Sequence, residues 1–185
     1  LRIIAGSARG RRLKTPRGKN TRPTSDRVRE ALFNILSPYI PGCSFLDLFA
    51  GSGAVGLEAL SRGAARAVLV EADRTALAAL RENVILTGFQ DRAYILAREV
   101  KDALFYLGQR GDKFDIIYLD PPYYQNLVEP TLQQIETAAV LRDGGIAVAE
   151  SAVRDLVPTE IGRLFRWREK EYGDTCLNFY LCRSS

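Results

Sequence analysis

The spacing of apolar residues changes near position 44. Before it, Val28, Ala31, Leu32, Ile35 and Leu36 follow the three-to-four-residue period of a helix, capped by Thr24 or Ser25 and ended by Pro38 and Pro41-Gly42. After it, short and nearly continuous apolar runs alternate with helical ones. Ser44–Phe49, Ala67–Glu71, Ala93–Ala97, Phe114–Leu119 and Gly145–Glu150 read as strands. Val55–Arg62 (closed by Gly63), Arg74 to Leu86 (stopped by Gly88), Val100–Leu107 and Leu127–Val140 read as helices. Strands that are apolar on both faces and separated by helices imply a mostly parallel sheet covered on both sides, an α/β fold. The end of the chain differs: Phe165–Tyr172 and Cys176–Cys182, joined by Gly173-Asp174-Thr175, predict an antiparallel hairpin.

The N-terminal stretch follows another pattern. Arg2-Ile3-Ile4-Ala5 and Arg11-Arg12-Leu13-Lys14 flank Gly6-Ser7-Ala8-Arg9-Gly10, which predicts a short basic hairpin, and Thr15 to Pro23 reads as a linker. Residues 1–41 are therefore an N-terminal extension of hairpin, linker and helix, and 42–185 a ligand-binding domain. Charge sharpens this division. Residues 1–30 hold ten basic and two acidic residues, a net of +8, so within a chain of net +4 the remainder carries −4. A basic arm on an acidic body is the footprint of nucleic-acid binding, because each cation that meets a phosphate releases counterions. A solvated, solubilising tail is the competing reading, and for Arg27 and Arg29 so is a helix face with Glu30 as local partner.

Composition removes several classes. The chain of 185 residues has no His, which excludes His-dependent acid–base chemistry and most zinc sites, so no metal is expected. No apolar run reaches the length of a membrane span and no signal peptide is visible, so a cytoplasmic protein is expected. The odd set Cys43, Cys176 and Cys182 reads as reduced, partly buried thiols. The chain starts at Leu1 without a Met, so a few native residues are expected to precede it. No apolar helix face is left over, which favours a monomer.

Two stretches carry chemistry. Asp120-Pro121-Pro122-Tyr123 follows the apolar strand Phe114–Leu119. Consecutive prolines fix an extended turn, so the Asp120 carboxylate and the Pro121 carbonyl can accept two hydrogen bonds from one amino group while Tyr123 offers a stacking face. That is a pocket for a planar molecule bearing an exocyclic amine; the alternative is a strand end with a solvated acid and a core aromatic. The second stretch is the turn from Asp47 through Gly51, Gly53 and Gly56, where the lack of Cβ atoms lets backbone approach a ligand closely. Gly51, Gly53 and Gly56 satisfy the dinucleotide fingerprint, and Glu71, twenty residues on, is placed to bind a ribose diol. An NAD-dependent oxidoreductase is thus one candidate. Asp47 would repel a pyrophosphate, however, and no hydride-transfer partner follows. An acid beside a glycine turn suits a ligand with a cationic amino-acid end and a ribose, such as S-adenosylmethionine. Asp102 is then placed to accept from an adenine amino group, or else serves as an acid at a helix start.

With these residues together the chain resembles the class I S-adenosylmethionine-dependent methyltransferases of exocyclic amines. More narrowly it resembles the bacterial small-subunit rRNA guanine-N2 methyltransferases of the RsmD type. The resemblance covers nearly the whole chain. It rests on Arg2–Gly6 with Arg9–Leu13, on Arg22–Asn34, on Asp47–Glu58 and on Asp120–Tyr123. It implies a Rossmann-like, seven-stranded, mostly parallel sheet with a C-terminal antiparallel hairpin. It also implies methyl transfer to the N2 amino group of a specific guanine in small-subunit (16S) rRNA, within an assembling ribosomal subunit. Asp120, Pro121, Pro122 and Tyr123 would then be catalytic. Asp47, Phe49, Ala50, Gly51, Ser52, Gly53, Glu71, Ala72, Asp102, Ala103 and Asp120 would bind the cofactor. Arg9, Arg11, Arg12, Arg22, Thr24 and Arg27 would bind RNA. The family often carries Phe where this chain has Tyr123, and either ring can stack on a base. A DNA or protein amino-methyltransferase with the same pocket remains an alternative, as does a non-catalytic RNA-binding assembly factor.

Overall fold

The computed structural model of the chain describes residues 1–17 and 25–185, so the Gly18–Pro23 part of the linker, together with Thr24, lies outside the described residues. The chain divides into two compact units, Leu1–Glu99 and Val100–Ser185.

In the first unit, helix α1 (Asp26–Leu36) starts at Ser25, whose side chain accepts from Val28 N at 3.3 Å, and a 3-10 turn (Ser37–Tyr39) follows it. Strands β1 (Ser44–Asp47), β2 (Arg66–Val70) and β3 (Ala93–Leu96) are parallel, with β2 between the other two. Helices α2 (Ala54–Ser61) and α3 (Arg74–Thr87) make the crossovers. Gly56 is favoured by packing: a Cβ there would sit 2.1 Å from Leu69 Cδ2, so any larger residue would force that side chain to move. Helix α3 has a side-chain cap, Asp73 to Ala76 N at 2.9 Å, and ends at Gly88 in the left-handed region.

The second unit begins with α4 (Val100–Gln109), followed by β4 (Phe114–Leu119), α5 (Val128–Ala138) and β5 (Leu141–Ala152). Strands β4 and β5 are parallel. Beyond them β8 (Thr175–Cys182) pairs antiparallel with β5, β7 (Leu164–Tyr172) with β8, and the short β6 (Glu160–Ile161) with β7. Helices α4 and α5 pack on one another.

Three expectations shift. The basic hairpin forms no regular strands: it is a tight loop with one antiparallel bridge, Arg2 to Arg12, closed by Ile3 N to Arg11 O (3.0 Å), Gly10 N to Ile3 O (2.9 Å) and Leu13 N to Leu1 O (2.9 Å), while Ile4, Ala5, Ser7 and Ala8 donate to α2. Strand β5 starts at Leu141, since Ala139 takes φ 52° and ends α5 early. Finally, β6 adds a two-residue strand to the seven expected; two residues carry no readable periodicity.

The N-terminal segment is docked, not loose. Ile3, Ala8 and Leu13 are buried, and the fully buried Glu58 of α2 accepts from Ile4 N (2.8 Å) and Ala5 N (3.0 Å). Ser61 Oγ accepts from Ala8 N at 2.9 Å and donates to Ala5 O at 2.6 Å. At Gly6, φ +85°, a Cβ would lie 1.8 Å from Ser61 O, so no other residue fits there. The solvated-face reading of Arg29 is overturned. Its side chain is fully buried and donates to Arg2 O at 2.6 Å and to Asp26 Oδ1 at 3.0 Å, which ties α1 to the docked loop.

Candidate active site

In the first unit the chemistry gathers at the carboxyl ends of β1 and β2, where open α/β sheets bind ligands. Asp47 ends β1 and is buried. Burial pushes its carboxyl from 3.8 up to about 7, against the opposing effect of backbone N–H groups from Phe49 and Gly56. Its Oδ1 has no hydrogen-bond partner among the described residues. A buried acceptor left in that state is costly unless a ligand donor meets it. The turn after it is fixed from three directions. Ala50 N donates to Val70 O (2.9 Å), Gly51 N to Glu71 Oε2 (2.8 Å), and Asn83 Nδ2 to Ser52 O (2.8 Å). Gly51 and Gly53 take φ 56° and 88°. A Cβ on Gly53 would press on Leu80 Cδ1 at 2.4 Å, whereas one on Gly51 would meet nothing within 4 Å. The turn is therefore packed on its inner side and open at Gly51. Phe49 is half-buried and Ser52 lies beside the open position.

Glu71, just past β2, does more than wait for a ribose. Its Oε2 holds Gly51 N, and its Oε1 accepts from Ala72 N (3.0 Å) and Asp73 N (2.9 Å). Each carboxylate oxygen has two lone-pair directions, so acceptor capacity for a ligand hydroxyl remains. The pattern of an orphaned buried carboxylate oxygen, an open glycine and a half-buried acid fits a ligand with a cationic amine and hydroxyls.

The same unit carries the basic surface. Arg9, Arg11, Arg12 and Arg27 are all exposed, the first three on the docked loop. Arg22 and Thr24 lie outside the described residues. Asn83, fully buried on α3, joins the loop to the glycine turn: its Oδ1 accepts from Lys14 N (2.7 Å) while its Nδ2 reaches both Lys14 O (2.9 Å) and Ser52 O. Sequence reading missed Asn83 and Glu58. The signal was a polar residue on an otherwise apolar helical face.

In the second unit, Asp102 is exposed in the first turn of α4, and Ala103 beside it is buried. Asp120 leaves β4 half-buried, followed by buried Pro121, exposed Pro122 and half-buried Tyr123. Tyr123 and Pro121 help line a cavity of about 350 Å³, together with Glu129 and Gln133 of α5 and Glu150 and Ser151 of β5. The Tyr123 hydroxyl, which distinguishes it from Phe, is engaged: it donates to Glu150 Oε1 at 2.9 Å and lies 3.1 Å from Thr175 Oγ1. Burial, and then the Glu150 carboxylate, hold this phenol well above its ordinary value, so it stays a donor. Sequence reading did not single out Glu150 or Thr175, though an acid inside the apolar run Ile146–Ala152 was a visible flag. The thiols are buried, and burial pushes Cys176 up to about 11, which leaves it unreactive. Among the described residues no cluster of His, Cys, Asp and Glu is placed to hold a metal ion, and no helix is long and apolar enough to cross a membrane.

Comparison with known proteins gives consistent matches. Ribosomal RNA small subunit methyltransferase D of Escherichia coli is 39% identical over 180 residues, covering 97% of this chain and 89% of that protein. The solved structure of yhhF from Escherichia coli, also 39% identical, superposes with a TM-score of 0.88 over all of this chain and 99% of that one. A more distant structure, SMU.776 solved in complex with SAH, is 14% identical with a TM-score of 0.68 over 83% of this chain and 49% of its own. It shows the fold alone, the α/β methyltransferase fold. The family model described as Conserved hypothetical protein 95 matches residues 1–181, and with these relatives it shows that the chain belongs to that family, the RsmD family.

Proposed function

We propose that this protein transfers a methyl group from S-adenosylmethionine to the exocyclic N2 amino group of a guanine in small-subunit rRNA. Family membership supports the coarser part, methyl transfer to ribosomal RNA, and S-adenosylmethionine as its donor. The observation that carries transfer to an exocyclic amine is the turn Asp120–Tyr123 beside a cavity of about 350 Å³, and the choice of guanine rests on the basic N-terminal segment and its resemblance to the guanine-N2 enzymes. When bound, the cofactor supplies an electrophilic methyl group on a sulfonium.

The residues of the chain do the rest. Asp47 meets the cationic amine through its orphaned Oδ1. The Gly51–Gly53 backbone leaves room for the amino-acid end, and Glu71 receives the ribose hydroxyls. Asp102 accepts from the adenine amino group, beside the Ala103 backbone. The target base leaves its stack, since its amino group is otherwise inaccessible, and lies against the Tyr123 ring. Asp120 and the Pro121 carbonyl accept from the two amino hydrogens, which aims the nitrogen lone pair at the methyl carbon. As the N–C bond formed and the methyl group's bond to the sulfonium sulfur broke to leave a neutral thioether, Asp120 would offset the positive charge developing on nitrogen and is placed to take the proton. Arg9, Arg11, Arg12 and Arg27, with Arg22 and Thr24, hold the phosphates, and the protein acts as a monomer in the cytoplasm on an assembling subunit.

The test is incubation with labelled S-adenosylmethionine and either unmodified small-subunit particles or free rRNA, followed by nucleoside mass spectrometry. Label in N2-methylguanosine is expected. Label in another nucleoside, or in protein, overturns the guanine assignment.

A further inference from the structure

Tyr123 is not held by packing alone. The residues after it leave the strand sharply, with Tyr124 at φ 62° and Asn126 at φ 51°, conformations that side-chain-bearing residues seldom adopt. Tyr124 is largely exposed and meets Tyr123 only edge-on, its centroid 6.2 Å away. The ring of Tyr123 therefore has an exposed neighbour on its C-terminal side and an open cavity on another. What fixes it lies deeper. Glu150, on β5 and 4% exposed, presents its two oxygens to two phenols: Oε1 to Tyr123 and Oε2 to Tyr118 of β4. Thr175, at the start of β8 and paired in register with Ala152 of β5, stands on the other side of the Tyr123 hydroxyl. Strands β5 and β8 thus meet at one hydroxyl group, and β4 braces it through Glu150.

A buried carboxylate is expensive, and replacing it with an apolar side chain is often neutral or favourable to stability. Its presence at the wall of the cavity needs another reason. We propose that Glu150 is a positioning residue for methyl transfer: through the Tyr123 hydroxyl it sets the plane of the aromatic ring against which the target base stacks. This rests on the function proposed above. Tyr118 anchors the second oxygen of Glu150, so the carboxylate cannot rotate away, and Thr175 stops the hydroxyl from swinging into the cavity. Ring orientation becomes a property of the sheet and not of the turn.

The test is a double-mutant cycle on the full chain, measured as kcat for methyl transfer to rRNA with cofactor affinity followed in parallel. Tyr123→Phe keeps the ring and removes the tether. Glu150→Gln keeps the shape but turns one acceptor into an amide donor, so one of its two phenols must reverse its role. Each is expected to lower kcat roughly tenfold with S-adenosylmethionine Kd within twofold, consistent with one lost charge-assisted hydrogen bond of about 1.5 kcal/mol. In the Tyr123→Phe background, Glu150→Gln should cost less than twofold, because the tether is already gone. Multiplicative effects would assign Glu150 to the core alone and overturn the inference, as would an unchanged kcat for Tyr123→Phe. Thermal unfolding of every variant separates misfolding from mispositioning, and Thr175→Val supplies a second, smaller perturbation of the same hydroxyl if Glu150→Gln does not fold. If the unmutated chain transfers no methyl group to rRNA, the function proposed above fails and this inference fails with it. Active wild type with multiplicative variants sinks the inference alone.

Discussion

The glycine turn of the first unit and the Asp120–Tyr123 turn of the second do related work by opposite means. The glycine turn is held through its backbone groups: Ala50 N on Val70 O, Gly53 N on Ala50 O at 2.8 Å, with the side chains of Glu71 and Asn83 reaching in to Gly51 N and Ser52 O. The proline turn is held by its own rigid rings and by a single side-chain hydroxyl, tied to residues 27 and 52 positions further along the chain. A cradle for a cofactor that never changes can be built from local geometry. A surface that must admit a base, hold it flat and release it is better anchored from one side and left open on the other.

Substitutions that separate the two regions sharpen this contrast. Asp120→Ala should have the largest effect. Methyl transfer to rRNA falls by roughly 10²–10³-fold, the scale of losing one preorganised group at the reacting centre, while isothermal titration shows cofactor affinity largely kept. Equal losses in both would mean that the two turns do not divide the labour. Replacing Arg9, Arg11 and Arg12 together by Ala should come next. RNA affinity drops roughly tenfold or more, and the slope of log Kd against log salt falls by about two to three, with transfer to saturating RNA little changed. An unaltered slope would return these arginines to a solubilising role.

Glu71→Ala strands three backbone N–H groups, and a partly exposed site lets water replace some of them. A loss of roughly 1–2 kcal/mol is expected, read as a lower Tm and about tenfold weaker cofactor binding. Transfer at saturating cofactor should be nearly normal. A large fall in kcat would place Glu71 closer to the chemistry than the geometry of its bonds suggests.

The smallest effect is a pH signature of Asp47. Its carboxyl sits at about 7 in the fold against 3.8 ordinarily, so between these values the folded chain holds a proton that the unfolded chain has lost. Stability of the chain without cofactor therefore falls as pH climbs from about 4 to about 7 and levels above that. A cationic amine against Oδ1 offsets the buried charge, so the Tm gain from S-adenosylmethionine should grow by a few degrees between about pH 6 and pH 8. Differential scanning fluorimetry across that range checks it. Asp47→Asn should flatten the pH trend and shrink the gain, and a gain independent of pH would remove Asp47 from the amine site.

Much of the molecule was legible in the chain. The alternation of apolar runs gave the β–α order, and β4 and the ends of α3 agree closely with their periodic stretches. Local chemistry was legible too: glycines at fixed spacing after an acid, an acid past the next strand, and two prolines after an apolar run each encode a turn within a few residues. What did not show was anything that depends on a partner far along the chain. The basic segment reads as a hairpin and closes on itself through Ile3 N to Arg11 O and Leu13 N to Leu1 O. Its docking did not show, because Glu58, Ser61 and Asn83 take its remaining backbone bonds. Arg29, left open between a solvated helix face and a phosphate contact, is buried because Arg2 O and Asp26 supply its acceptors.

The sequence by itself determined the α/β class, the glycine turn with Asp47 and Glu71, and the proline turn with Asp120, since each is written in spacing, ring constraints and missing Cβ atoms. Only the tertiary structure decided that Asp47 has an orphaned oxygen, that Asn83 joins the basic loop to the glycine turn, and that Tyr123 is moored to Glu150 and Thr175. Burial and hydrogen-bond satisfaction are properties of the packed chain: whether a polar group is costly, structural or functional depends on what folds against it, and no residue carries that information alone.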